Sequence, residues 1–186
     1  NPIYCQEAAN PNLYKPYDLP KEFDVTFVGQ AYGNRPEYIK YLLDNNISIN
    51  VWGPQWEQYS QKRNGKFYRC ARAIKSFIYG KAISSKAYYL PANIIGKPLS
   101  DIEMIKMYCR SKINLGFSSC GETHNDKNRI LQVRLRDFEV PMSGGFYMVE
   151  YMEELKEFFE IGKEIVCYHD KDDLAQKIKY YLKHDS

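Results

Sequence analysis

The chain has 186 residues, 44% hydrophobic and 26% charged, with 26 basic against 23 acidic side chains and a formal charge of +3. That length fits one domain, the spread of apolar residues excludes a disordered protein, and the balance of charge leaves no sustained field for nucleic acid or an anionic membrane. No run approaches the roughly 18 apolar residues of a membrane span, and the polar stretch Asn1 to Asn12 lacks the pattern of a signal peptide. Cys5, Cys70, Cys109, Cys120 and Cys167 are scattered without a CxxC pair, which points to a reducing, cytoplasmic setting rather than a disulfide framework or a zinc site. The first residue is not Met and falls in a loop-like stretch, so the chain reads as an excised piece of a longer protein.

In chain order, Asp24 to Val28 predicts a strand that ends at Gly29 and feeds the loop Gln30 to Asn34. Pro36 suits a first helical turn, Tyr38, Ile39, Leu42 and Leu43 share one face, and Asn45-Asn46 ends that helix. Ile47 to Trp52 predicts a second strand and completes a βαβ unit. The stretch 53–80 yields only a helical pattern over Tyr68 to Tyr79. Ser100 and Glu103 have capping-box spacing, predicting a helix with Ile102, Ile105 and Met104 or Tyr108 on its buried side. A strand at Lys112 to Phe117 follows. Beyond the polar loop Ser118 to Lys127, the pattern predicts a short helix at Leu135 to Met142, a strand at Phe146 to Val149 and a helix at Met152 to Phe159. It then predicts a strand at Glu164 to Tyr168 and a final helix over Lys171 to Lys183. Five or six short strands alternating with helices predict an α/β, doubly wound, mostly parallel sheet of Rossmann-like type, in which ligands sit at the carboxyl ends of the strands.

The loops that carry chemistry are therefore Gly29 to Arg35, Ser118 to Lys127 and the turns around Gly144-Gly145. Gly29 to Arg35 joins a strand end to a helix start, where free amides and the helix dipole favour a phosphate and Arg35 adds a cation; two glycines in a βα turn are also an ordinary structural feature. Arg134, Arg136, Glu139, Gly144 and Gly145 form a denser set. Arginines and backbone amides neutralise a diphosphate, a carboxylate accepts from ribose hydroxyls, and glycine lets the backbone come close to a ligand. A surface Arg–Glu pair beside a glycine turn accounts for the same residues. Asp170-Lys-Asp172 precedes an amphipathic run and reads as a helix cap rather than a metal motif, so no metal site is predicted. His124 lies in the polar loop, while His169 and His184 adjoin helix ends.

Several segments in order resemble the CgeB-like glycosyltransferases, relatives of the retaining group-1 class with GT-B architecture. They are Asn10-Pro-Asn-Leu-Tyr14, Phe23 to Gly29 with Arg35, Arg136-Asp-Phe-Glu139 through Gly145, Tyr147 to Tyr151, and Lys163 to Tyr168 with Leu174 to Leu182. The resemblance implies the C-terminal half of a GT-B enzyme, with residues 21–186 as a nucleotide-sugar-binding Rossmann-like domain and 1–20 as a linker or residual inter-domain segment. On that reading the N-terminal, acceptor-side domain is expected outside this chain. A nucleotide-diphosphate sugar is then the donor and a saccharide or other hydroxyl the acceptor, with no metal and no cofactor.

The class pattern implies donor-binding roles for Gly29, Gln30, Arg35, Arg134, Arg136, Glu139, Gly144 and Gly145. Its loop after the first strand carries an Arg and then a Lys; Gln30 stands at the first position and Arg35 at the second, leaving Arg134 or Arg136 to replace the lost cation. Of its two glutamates, Glu139 matches the second, which implies ribose recognition, and Leu131 stands where the first belongs. Glu122 and His124 are the remaining catalytic candidates. The departures at Gln30 and Leu131 favour a second reading, a non-catalytic Rossmann-like or flavodoxin-like regulatory domain. A dinucleotide enzyme lacks its G-x-G-x-x-G fingerprint here.

Overall fold

The computed structural model describes residues 8–60, 89–120, 123 and 129–184. Its six strands form one all-parallel sheet in the order β3-β2-β1-β4-β5-β6, with β1 at Phe23–Val28, β2 at Ile49–Trp52 and β3 at Ile95–Gly96. β4 spans Ser111–Gly116, β5 Tyr147–Glu150 and β6 Val166–Tyr168. Four α-helices lie among the described residues: α1 (Arg35–Asp44), α2 (Asp101–Arg110), α3 (Leu135–Met142) and α4 (Lys171–Lys183). Covered on both faces, β1, β4 and β5 are buried along most of their length; β5 reads as the apolar run Tyr147 to Val149, while β1 and β4 also bury the polar Thr26, Ser111 and Asn114.

Ile39 and Leu42 of α1 and Leu174 and Ile178 of α4 pack on one face with Phe27, Val51 and Leu115. Met107 and Tyr108 of α2 and Val140 of α3 pack on the other with Val28, Tyr147 and Val149. Burying each such aliphatic side chain is worth about 1.5–3 kcal/mol. A small polar seam crosses this interior: the Thr26 hydroxyl reaches Ser111 Oγ at 2.8 Å and Asn114 Oδ1 at 3.1 Å, and Asn114 Nδ2 donates to the Tyr108 carbonyl. It ties β1 to β4, where Val25 faces Ile113 on one side and Ile49 on the other. Strand order reverses between these two strands, so the crevice for a ligand opens at their carboxyl ends.

Local signals account for the helix starts. Ser100 caps α2 in a reciprocal box with Glu103, whose carboxylate accepts the Ser100 amide at 2.8 Å. Asp170 caps α4, its Oδ1 accepting the Asp172 and Asp173 amides at 2.9 Å each.

Three expectations need correction. Ile102, expected on the buried side of α2, is 43% exposed, because the capped first turn projects beyond the sheet and burial begins at Ile105. The helix expected over Met152 to Phe159 is a short 3₁₀ turn at Glu153–Glu157, since i to i+3 spacing alone brings Met152 and Leu155 into the core. The unforeseen β3 is only two residues long, too short for any periodicity. The helical pattern over Tyr68 to Tyr79 lies outside the described residues.

Residues 8–20 run across α2 and α3. Ala9 and Tyr14 are buried with Ile105, and Leu13, Tyr17 and Phe138 pack around them. Lys21 fastens the end of this segment to the carbonyls of Cys109 and Ser111. Among the described residues, no helix is long and apolar enough to cross a membrane.

Candidate functional site

β1 runs into Gly29 at the crevice. A methyl group there would lie 2.7 Å from the Phe27 ring and 3.0 Å from Arg136 Nη1. Glycine is thus required by close packing, and that packing seats the Arg136 guanidinium against the end of β1. Two amides of this loop are already taken: that of Gly29 donates to the Trp52 carbonyl at 2.7 Å and that of Ala31 to the Pro54 carbonyl at 3.0 Å.

Arg35 opens α1 but folds back beneath its own loop and is 5% exposed. Nη1 donates to the Gln30 carbonyl at 2.9 Å, Nη2 to the Tyr32 hydroxyl at 2.8 Å, and the guanidinium lies 3.8 Å from the centre of the Tyr32 ring. Gln30 itself is exposed and contributes that carbonyl. Burial pushes the Arg35 guanidinium down to about 10, with repulsion from Arg134 and Arg136 acting in the same direction. It stays charged at neutral pH.

Across the crevice, Arg134 donates from Nε to the Phe117 carbonyl at 3.0 Å and from Nη2 to that of Ser119 at 2.6 Å. Arg136 donates from Nε to the Tyr108 hydroxyl at 3.0 Å. Three guanidiniums thus gather at the carboxyl ends of β1 and β4. Among the described residues none of the three is ion-paired. The carboxylates of the same helix are committed elsewhere. Asp137 accepts the Tyr147 hydroxyl at 2.6 Å and the Arg134 amide at 2.8 Å, and burial pushes its carboxyl up.

Glu139, one helical turn beyond Arg136, is 4% exposed, and its Oε1 accepts the Tyr14 hydroxyl at 2.6 Å. Burial, then the bond to Glu139, pushes that hydroxyl above the ordinary tyrosine range. Gly144 and Gly145 do not join the cluster. They follow α3 and precede β5, on the amino edge of the sheet, so the expectation that they line one cleft with Gly29 is corrected. Gly144, at φ +73°, closes the helix, and a methyl group on Gly145 would lie 2.9 Å from Asn114 Nδ2. Glu122 and His124 lie outside the described residues.

One buried carboxylate at the crevice was not singled out from sequence. Glu150 ends β5 and accepts the amides of Ser118 and Ser119, the residues that leave β4. Its signals were an acidic residue closing an apolar strand and its place in the Tyr147 to Tyr151 segment of the resemblance, neither of which gave it a role.

A family model described as glycosyl transferase-like matches residues 35–186. The chain belongs to this family. Its chemistry is accordingly glycosyl transfer, which takes a sugar donor and an acceptor, and the all-parallel sheet is consistent with one half of a GT-B enzyme. No curated protein matches the chain.

Proposed function

We propose that this domain binds a nucleotide-diphosphate sugar at the carboxyl ends of β1 and β4, as the donor half of a CgeB-like, GT-B glycosyltransferase. The carrying observation is the cluster of Arg35, Arg134 and Arg136, drawn together at the point where strand order reverses and without an ion-pair partner among the described residues. Gathered like charges raise the energy of the empty site, and a diphosphate lowers it. In the reaction the bond from the anomeric carbon to the diphosphate breaks and its electron pair stays on the phosphate oxygen. The acceptor hydroxyl bonds to that carbon, and its proton passes to the departing diphosphate. Arg134 and Arg136 meet the charge on the leaving oxygen, and Arg35 holds the Gln30 and Tyr32 loop in shape beside them. Glu139 takes a ribose hydroxyl with the oxygen that Tyr14 does not use. A saccharide or other hydroxyl acceptor is presented by a second domain.

Calorimetric titration with UDP, GDP, TDP and inorganic diphosphate tests the assignment. Arg134→Ala is expected to weaken diphosphate binding by about 1.5–3 kcal/mol, the range for hydrogen bonds to charged groups. Equal affinity in the wild type, Arg134→Ala and Arg136→Ala would remove the site from consideration.

A further inference from the structure

We infer that Glu150 is a positioning residue for this site, fixing through the Ser118 and Ser119 backbone the direction in which Arg134 presents its guanidinium. The inference rests on the assignment of Arg134 to the donor diphosphate.

Glu150 is 1% exposed. Its Oε2 accepts the Ser118 amide at 3.1 Å, the Ser119 amide at 3.2 Å and the Ser119 hydroxyl at 3.3 Å, while its main-chain carbonyl accepts the Ser118 hydroxyl at 2.8 Å. Two adjacent amides at a strand end form the concavity in which a phosphate is often held. Here a protein carboxylate already occupies them, so a substrate phosphate must be gripped elsewhere. The carbonyls of the same two residues are also bonded. Ser118 accepts the Gln132 amide at 3.1 Å, and Ser119 accepts Arg134 Nη2. Glu150 therefore holds the donor side of this segment, and Arg134 is held by its acceptor side.

Charge gives Glu150 a role that a neutral side chain does not fill. Oε1 makes no hydrogen bond, although Arg129 Nη1 stands 2.7 Å away as an ion-pair partner at the surface, 31% exposed. A carboxylate in that position accepts from both amides and faces the cation at once. A glutamine of the same size has to turn its amide N–H groups toward either Arg129 or the Ser118 and Ser119 amides, donor against donor. The segment then relaxes, and Arg134 with it.

The test is calorimetric titration of the full chain with inorganic diphosphate, in the wild type, Glu150→Gln, Arg134→Ala and the double variant. Glu150→Gln is expected to weaken diphosphate binding by about fivefold or more, and by less than about twofold once Arg134 is already Ala, because the effect passes through Arg134. Unchanged affinity in Glu150→Gln, or equal losses in both backgrounds, overturns the inference while leaving the donor site standing. Unchanged affinity in Arg134→Ala overturns the assignment of Arg134 to the diphosphate and this inference with it. If Glu150→Gln does not fold, Arg129→Gln loosens the same carboxylate from the surface. Its loss of affinity is expected to vanish in the Arg134→Ala background, and additive losses would show that Arg129 touches the anion directly and refute the relay.

Discussion

Truncating Arg136 to Ala removes the guanidinium lodged against Gly29 and weakens binding much more than it weakens the fold. For a diphosphate, the loss is one charged hydrogen-bonding group, about 1.5–3 kcal/mol, or about 10- to 150-fold in affinity. For the fold, the Tyr108 hydroxyl loses its bond from Arg136 Nε while remaining buried, a cost of about 1–3 kcal/mol. Relief of repulsion on Arg35 works the other way, because Arg136 is among the charges that hold the Arg35 guanidinium near 10. The expected result is a protein with a modestly lower urea midpoint and a much weaker diphosphate isotherm. Arg136→Lys separates charge from geometry: it keeps the cation but not the planar fork that meets Tyr108, so it should recover part of the affinity and little of the stability. Titration calorimetry at low salt, with urea unfolding on the same samples, reads both quantities. An Arg136→Ala protein that binds diphosphate as tightly as the wild type refutes the reasoning, whatever its stability.

Three further outcomes are expected. Tyr14→Phe removes the hydroxyl that Glu139 accepts and should cost about 1.5–3 kcal/mol in urea unfolding; inorganic diphosphate affinity should be unchanged, and a loss there would place Glu139 in the phosphate site instead. Nucleotide affinity should be the same in excess chelator and in millimolar Mn²⁺, because among the described residues the crevice offers guanidiniums, and its carboxylate, Glu150, is already taken by Ser118, Ser119 and Arg129; a tenfold loss in chelator, about 1.4 kcal/mol, would contradict this. Burial, the leading cause in each case, raises the hydroxyls of Tyr14, Tyr147 and Tyr168 above the unfolded value and that of Tyr38 to about 12. The unfolded chain therefore ionises first: stability is fully present below about pH 10 and is lost as pH rises from there through the folded values. Urea midpoints measured from pH 8 to 11.5 should fall only beyond that threshold, and a flat profile would refute the assignment.

The alternation of strand and helix was legible because burial on both faces demands apolar runs, and because Ser100 and Asp170 mark helix starts by side-chain chemistry that acts within a few residues. The convergence of Gly29 with Arg136 followed from a parallel sheet alone. What misled was nearness in sequence. Gly144-Gly145 closely follow Glu139, yet α3 with its eight residues rises about 12 Å and carries the chain from the carboxyl ends of the strands back to their amino ends. The inward turn of Arg35 was hidden for another reason. Its bed is assembled from Tyr32 in its own loop, Phe27 on β1 and Phe117 beyond β4, and no local pattern records that meeting. Glu150 escaped likewise, since its partners stand 31 and 32 residues away in the chain.

The Gly29 carbonyl that ends β1 also accepts the indole N–H of Trp56 at 2.7 Å, and that ring lies edge-on to Phe27 in the interior. The chain has two tryptophans, and the other, Trp52, stands on β2 against Phe23. An indole bonded to the very peptide that meets Arg136 is a built-in optical reporter. An anion drawn to that guanidinium alters the field along the Trp56 ring, so its emission registers occupancy of the crevice without a label, and Trp52→Phe leaves a protein whose tryptophan emission comes from Trp56 alone.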